Sequence, residues 1–132
     1  MIDASVVAAS VFAEPAQTQA EAQMLGYALC APSIIDYELA NVALNKLRSK
    51  LLATDDVQRA LNAFDELEIE RWDIEPGRVI RIGEAFGLTA YDAAYLWVAG
   101  HLRVPIATFD SRVAAAAAHY LKELPPSPSP ES

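Results

Sequence analysis

The sequence predicts an α/β fold, a short parallel sheet covered on both faces by helices. Short apolar runs alternate with segments of helical hydrophobic spacing, the pattern left by strand–helix–strand crossovers. Four acids, Asp3, Glu38, Asp92 and Asp110, stand at the ends of those runs or near the starts of helix patterns. Folds of this class bind ligands beyond the carboxyl ends of their strands, and Asp3 and Asp110 sit at such ends.

Residues 1–4 read as a truncated strand running into a helix from Ser5 to about Ala13. Pro15 suits the first turn of a second helix, ending near Gly26. Ala28 to Ala31 is an apolar run closed by Pro32 and predicts a buried strand. Ser33 is placed to cap the next helix, with Asp36 completing a capping box. Tyr37, Ala40, Leu44, Leu47 and Leu51 recur at helical spacing and mark its expected buried stripe. A further helix is expected from Asp56 to Leu67, with Val57, Leu61 and Phe64 on one side, then a strand from Ile69 to Ile74. Pro76 opens a helix that stops at Gly87, where a left-handed cap costs glycine nothing. Thr89 starts the next, reaching about His101. Pro105 to Thr108 predicts a short strand, and Ser111 to about Leu121 a last helix. After Ala118, His-Tyr-Leu-Lys-Glu-Leu lacks the β-branched residues of a closing strand.

At 132 residues the chain is long enough for one self-sufficient core, assigned to residues 1–121. Residues 122–132 form a proline- and serine-rich tail expected to be disordered. No apolar stretch reaches membrane-spanning length and no basic-then-apolar leader opens the chain, so a cytoplasmic protein is expected. The lone Cys30 cannot pair within the chain, which suits a reducing compartment, and reads as a small buried hydrophobe. The formal charge of −8 argues against indiscriminate nucleic-acid binding. That objection weakens where acids are offset by bound cations.

Each acid has a structural explanation. Thr89 and Asp92 form a capping-box pair, and Asp3 and Asp110 can cap the helices that follow them. Glu38 is not needed for capping; with Asn41, Asn45 and Arg48 it forms a polar line beside the apolar stripe, either a solvated face or a carboxylate and amide aimed into a cleft. If the four acids converge, each pair about 4 Å apart repels by roughly 4 kcal/mol at an effective dielectric near 20, and a divalent cation is the simplest remedy. All-oxygen donors suit Mg²⁺ or Mn²⁺ rather than zinc, and no H-x-x-x-H or C-x-x-C spacing exists; His101 and His119 read as helix-end or surface residues. Ser5 and Thr108 lie two residues from Asp3 and Asp110, where a hydroxyl can hold a metal-bound water or a phosphate oxygen, or serve only the local backbone.

The segments D3-A-S5, P-S-x-x-x-x-E38-x-x-N41, T-x-x-D92 and T108-x-D110 occur in the order and approximate spacing of PIN domains. No one of them is specific alone. Together they make residues 1–121 resemble that family, most of all the bacterial VapC-type toxins of toxin–antitoxin pairs. The resemblance implies a PIN-like three-layer α/β/α sandwich with a short central parallel sheet. It also implies a metal-dependent ribonuclease, a homodimer and a cognate antitoxin. Asp3, Glu38, Asp92 and Asp110 would then bind one or two Mg²⁺ or Mn²⁺ ions, with Ser5, Asn41 and Thr108 assisting. Only Met1 and Ile2 precede Asp3, where the family has a longer strand, so a short central strand or an upstream start is expected.

Lys46, Arg48 and Lys50 at the end of the Glu38 helix, and Arg112 after Asp110, are candidate RNA-phosphate contacts. The lysines and Arg48 fit equally well as helix C-terminal cations, and Arg112 as a partner of a site acid. The competing function is a catalytically inert PIN-like module that dimerises and binds a partner. The negative charge favours it, and the complete acid set argues against it. An adhesion-type D-x-S-x-S metal site fails at Val7, and a phosphoryl-accepting receiver fails because Asp3 lacks a companion acid and a suitably placed lysine. The stretches from Pro15 to Tyr27 and from Lys46 to Leu67 offer an apolar groove for an antitoxin segment, which would place an arginine against the acids.

Overall fold

The computed structural model describes residues 1–126, so residues 127–132 of the predicted tail lie outside the described part. The elements run α1 (Ala4–Val11), α2 (Gln17–Met24), β1 (Cys30–Pro32), α3 (Ile35–Arg48), α4 (Thr54–Glu66), β2 (Glu70–Trp72), α5 (Pro76–Phe86), α6 (Ala90–Leu102) and α7 (Ser111–Lys122). Strands β1 and β2 pair in parallel, with Cys30 opposite Glu70 and Pro32 opposite Trp72. Single contacts extend the sheet on the other side of β1. The Ile2 amide donates to Cys30 O at 3.0 Å, and Asp3 N donates to Ala107 O at 3.1 Å. Ile2 and Ala107 form one parallel bridge, so the order across the sheet is Ala107, Ile2, β1, β2.

This is the expected α/β plan with less strand than expected. The run from Ile69 to Ile74 contracts to three residues, the run from Ala28 to Ala31 shifts to Cys30–Pro32, and that from Pro105 to Thr108 contributes one bridging residue. Pro32 and Pro105 have no amide to donate, so the ladder cannot propagate through them. Among the described residues no closing strand follows Ala118, because α7 runs on to Lys122, as the absence of β-branched residues there foretold. Beyond it, Arg103 Nη2 donates to Pro125 O at 2.6 Å, which fixes the first residues of the tail against the α6 C-terminus.

Helix α6 is apolar and buried on every side from Ala93 to Gly100, and so runs through the middle of the domain. One side meets Val79 and Ile82 of α5 and Val113 and Ala117 of α7. Its Tyr95 joins a second cluster with Ile2, Val6, Val7, Ile35, Leu39 and Phe64. Gly100 is needed for the α6–α7 approach, since a Cβ there would lie 2.6 Å from the Tyr120 ring. Gly87 adopts the left-handed cap expected of it, at φ 64°. Cys30 is buried, as expected. Among the described residues no helix is long and apolar enough to cross a membrane.

Helix α3 corrects two expectations. The stripe predicted to be buried is its outer face: Tyr37 is 75% exposed, Leu44 42% and Leu51 72%. Ile35, Leu39 and Ala43 take the inner face instead. The helix carries two apolar stripes, and the one nearer β1 wins because the chain enters α3 only two residues after Pro32, with Ile35 and Leu39 against Val6 and Val7. Leu61 of α4 likewise points outward while Phe64 is buried. The second correction concerns the cap. Ser33 Oγ donates to Trp72 O at 3.2 Å and to Asp73 Oδ1 at 3.1 Å, and Asp36 takes the Arg71 guanidinium in two hydrogen bonds of 2.8 and 3.1 Å. Both residues tie the start of α3 to β2, and Ile34 occupies the N-cap with no side-chain bond.

Candidate active site

Asp3 is the best-anchored acid. The chain is extended at Asp3 (φ −98°, ψ 171°) and turns directly into α1, so its carboxylate caps that helix. Oδ1 accepts from Ser5 N at 3.1 Å, Val6 N at 3.3 Å and Ser5 Oγ at 2.6 Å, and Oδ2 accepts from Thr108 Oγ1. The two hydroxyls are themselves held, because Phe109 N donates to Ser5 Oγ at 3.0 Å and Asp110 N to Thr108 Oγ1 at 3.0 Å. Ser5 and Thr108 therefore direct their protons at Asp3 and fix its orientation. Asp3 is only 7% exposed, and burial raises its carboxyl pKa despite these donors.

Glu38 projects from α3, and its Oε1 accepts from Tyr95 Oη at 2.7 Å. Burial raises its pKa first; the Tyr95 bond opposes that, and nearby Asp3 and Asp92 raise it further. These mutual effects place Asp3, Glu38 and Asp92 in one electrostatic neighbourhood. Tyr95 was not singled out from the sequence, although it lies three residues after Asp92 on the same helical face. Its own pKa is raised strongly, by burial and then by Glu38, so the phenol remains a donor. Tyr95→Phe is expected to cost about 1.5 kcal/mol, the lower end for a hydrogen bond to a charged group. It would raise the Glu38 pKa further and move the acid limb of a pH–activity profile upward. Urea unfolding and that profile check it, and an unmoved limb would show the bond to be idle.

Asp92 lies in the first turn of α6, where Thr89 Oγ1 caps the helix by accepting from Asp92 N at 3.1 Å. The Asp92 carboxylate instead meets Arg112, whose Nη2 is 3.8 Å from Oδ2. Arg112 thus pairs with a site acid. Asp110 caps α7, its Oδ1 accepting from Arg112 N at 2.9 Å and Val113 N at 3.3 Å, and Thr108 links it to Asp3. Asp3 and Asp110 are therefore both helix caps joined through Thr108. Asn41 lines the same cleft as Glu38 and Ser5. Arg48 is exposed ten residues beyond Glu38, roughly 15 Å along the helix at 1.5 Å per residue, and so lies away from the acids. Lys46 pairs with Glu14 at 3.1 Å. His101 stacks on Trp97 with ring centroids 4.9 Å apart, and His119 pairs with Glu123, so both histidines serve helix ends as expected.

The PIN domain family matches residues 1–119. This chain is a PIN domain. Comparison with curated proteins gives no match. PIN domains are typically nucleases that use divalent metal ions. In this PIN domain the donor chemistry fits such an ion: all oxygen, net negative, and half desolvated at Asp3 and Glu38. Among the described residues, however, no three acids stand close enough to hold one ion between them. Each acid has its own partner: Tyr95 donates to Glu38, Arg112 lies 3.8 Å from Asp92, and the Arg112 and Val113 amides donate to Asp110.

Proposed function

We propose that this PIN domain is a Mg²⁺- or Mn²⁺-dependent endoribonuclease that cleaves RNA phosphodiester bonds, a toxin-type protein silenced by a cognate antitoxin. The observation that carries the reading is the buried Asp3 carboxylate, held by Ser5 and Thr108, with a half-buried Glu38 whose pKa Asp3 and Asp92 both raise. Desolvation and like charge make that arrangement costly in a protein that has no use for a cation. Asp3 and Glu38, joined by Asp92 and Asp110, would hold one or two ions. When bound, a divalent ion supplies a water of lowered pKa and screens the phosphate charge.

The chain's own residues do the positioning. Ser5 and Thr108 lock the Asp3 rotamer, and Tyr95 locks Glu38. Arg112, 69% exposed and held to Asp92 only by a long 3.8 Å contact, would turn from that acid to a phosphate oxygen. Arg48, farther along α3, would meet a neighbouring phosphate rather than the scissile one. The outward stripe of Tyr37, Leu44 and Leu51 supports an amphipathic antitoxin segment seated on α3, and a second copy of the chain is the other proposed partner.

The inert binding module keeps one specific observation in its favour, the acids' failure to close into a cage. Purified protein incubated with total RNA separates the two. Cleavage that requires Mn²⁺ or Mg²⁺ and stops on adding EDTA is expected. RNA left intact under all metals, by a folded protein freed of partners, refutes the nuclease.

A further inference from the structure

We infer that the cleft between α1 and α3 is a nucleobase subsite, in which Phe109 stacks on an unpaired base beside the cut and Glu14, with Asn41, reads the edge of that base. The inference rests on the ribonuclease reading and deepens it to a substrate preference. The cleft measures about 470 Å³ and is lined by Ser5 and Glu38 together with Glu14. Its volume lies within the roughly 300–1,000 Å³ usual for small-ligand clefts. Ala4, Ala8 and Ala9 of α1 line it with small side chains, which leaves room for a planar group.

Phe109 stands between the two site residues Thr108 and Asp110, yet it is 39% exposed and lines the cleft rather than joining the core. Its backbone is pinned by the bond from Phe109 N to Ser5 Oγ, so the ring is carried on the same hydrogen-bond network that orients Asp3. A fixed, half-exposed aromatic beside a phosphodiester site is the platform that single-stranded RNA uses for stacking. Glu14 and Asn41 add polar selectivity. Lys46 Nζ lies 3.1 Å from Glu14 Oε1, and a carboxylate oxygen offers acceptor sites to a base edge. Asn41 offers both a donor and an acceptor. An acceptor at this point suits a base with an exocyclic amino group, as in adenine, cytosine or guanine, and disfavours uracil.

The test compares steady-state cleavage of short single-stranded RNAs that differ only at the base beside the cut, using the full chain with Mn²⁺. Phe109→Leu should raise KM about tenfold with kcat within twofold, in line with the cost of losing one stacked base, and Phe109→Trp should restore it. Glu14→Gln should erase the bias against uracil, with melting curves showing both variants folded. An active enzyme whose KM and base preference ignore both substitutions overturns the subsite and leaves the ribonuclease intact. If the wild type cleaves no RNA, the ribonuclease fails separately, and amide NMR titration with mononucleotides decides the subsite. Shifts at Asn41 and Phe109 with AMP, CMP and GMP but not UMP would support it. No shifts, or shifts only with an arginine-bearing peptide, would overturn it in favour of a protein occupant.

Discussion

Asp92→Asn is expected to abolish RNA cleavage and growth arrest while leaving a folded domain. The α6 cap belongs to the Thr89 hydroxyl, which accepts from the Asp92 backbone amide, so the cap survives the change. What the carboxylate gives the helix is a favourable charge near its N-terminus, worth about 0.3–1 kcal/mol. Its ion pair with Arg112 is long at 3.8 Å and largely solvated on the arginine side, and adds little stability. Against these small losses stands a charge that sits near Glu38 closely enough to raise its pKa. If Asp92 helps hold a cation, its loss should lower cleavage by more than the ~10–100-fold typical of an outer-shell partner. Circular dichroism and a cleavage assay on both proteins check this. Equal activity in two well-folded proteins would remove Asp92 from the catalytic set, and with it the strongest use of the pocket.

Why Asp92 stands out as a candidate in the sequence, and Tyr95 does not, shows what a sequence exposes. Each acid has a structural role open to it, and it is their order along the chain that adds information no single motif holds. The Gly87 cap and the helices opened by Pro76 and Thr89 were legible because backbone chemistry fixes them locally. Tyr95 looks like an ordinary core aromatic, and its role depends on Glu38, 57 residues away in the chain. The outward stripe on α3 misled for the opposite reason. Periodicity reports that a face is apolar, and it does not report what covers that face. Ile35 and Leu39 face inward because β1 delivers the chain to α3 at a particular angle, which is a tertiary fact. Ser33 and Asp36 matched a capping pattern, yet Trp72 and Arg71 across the sheet offered better partners.

Mn²⁺ is expected to raise the melting temperature by about 10 °C at pH 7.5 and by much less near pH 5. In EDTA the protein is free of metal. Asp3 and Glu38 have folded pKa values raised above 3.8 and 4.5. In the window between those ordinary values and the raised ones, the native state holds protons that the unfolded chain releases. Stability from these two groups is therefore complete at the acid end of the window and falls as pH rises through the raised values. Once pH exceeds the raised values, both carboxylates are ionised in partly desolvated surroundings, and Asp3 raises the cost of ionising Glu38. A cation reverses that cost, and because it binds the deprotonated form, its affinity grows with pH. At 100 times Kd the linkage gives about 2.7 kcal/mol, worth roughly 10 °C in a domain of this size. Asp3→Asn keeps a side chain able to cap α1, and it should flatten the pH slope and shrink the metal shift together. Differential scanning fluorimetry of wild type and variant, with and without Mn²⁺ across pH 5 to 8, reads both. A metal shift of equal size in the two proteins would place the ion away from Asp3. A slope that survives Asp3→Asn unchanged would show that its burial carries no cost, and would leave the desolvated carboxylate pair without the strain that makes a cation necessary.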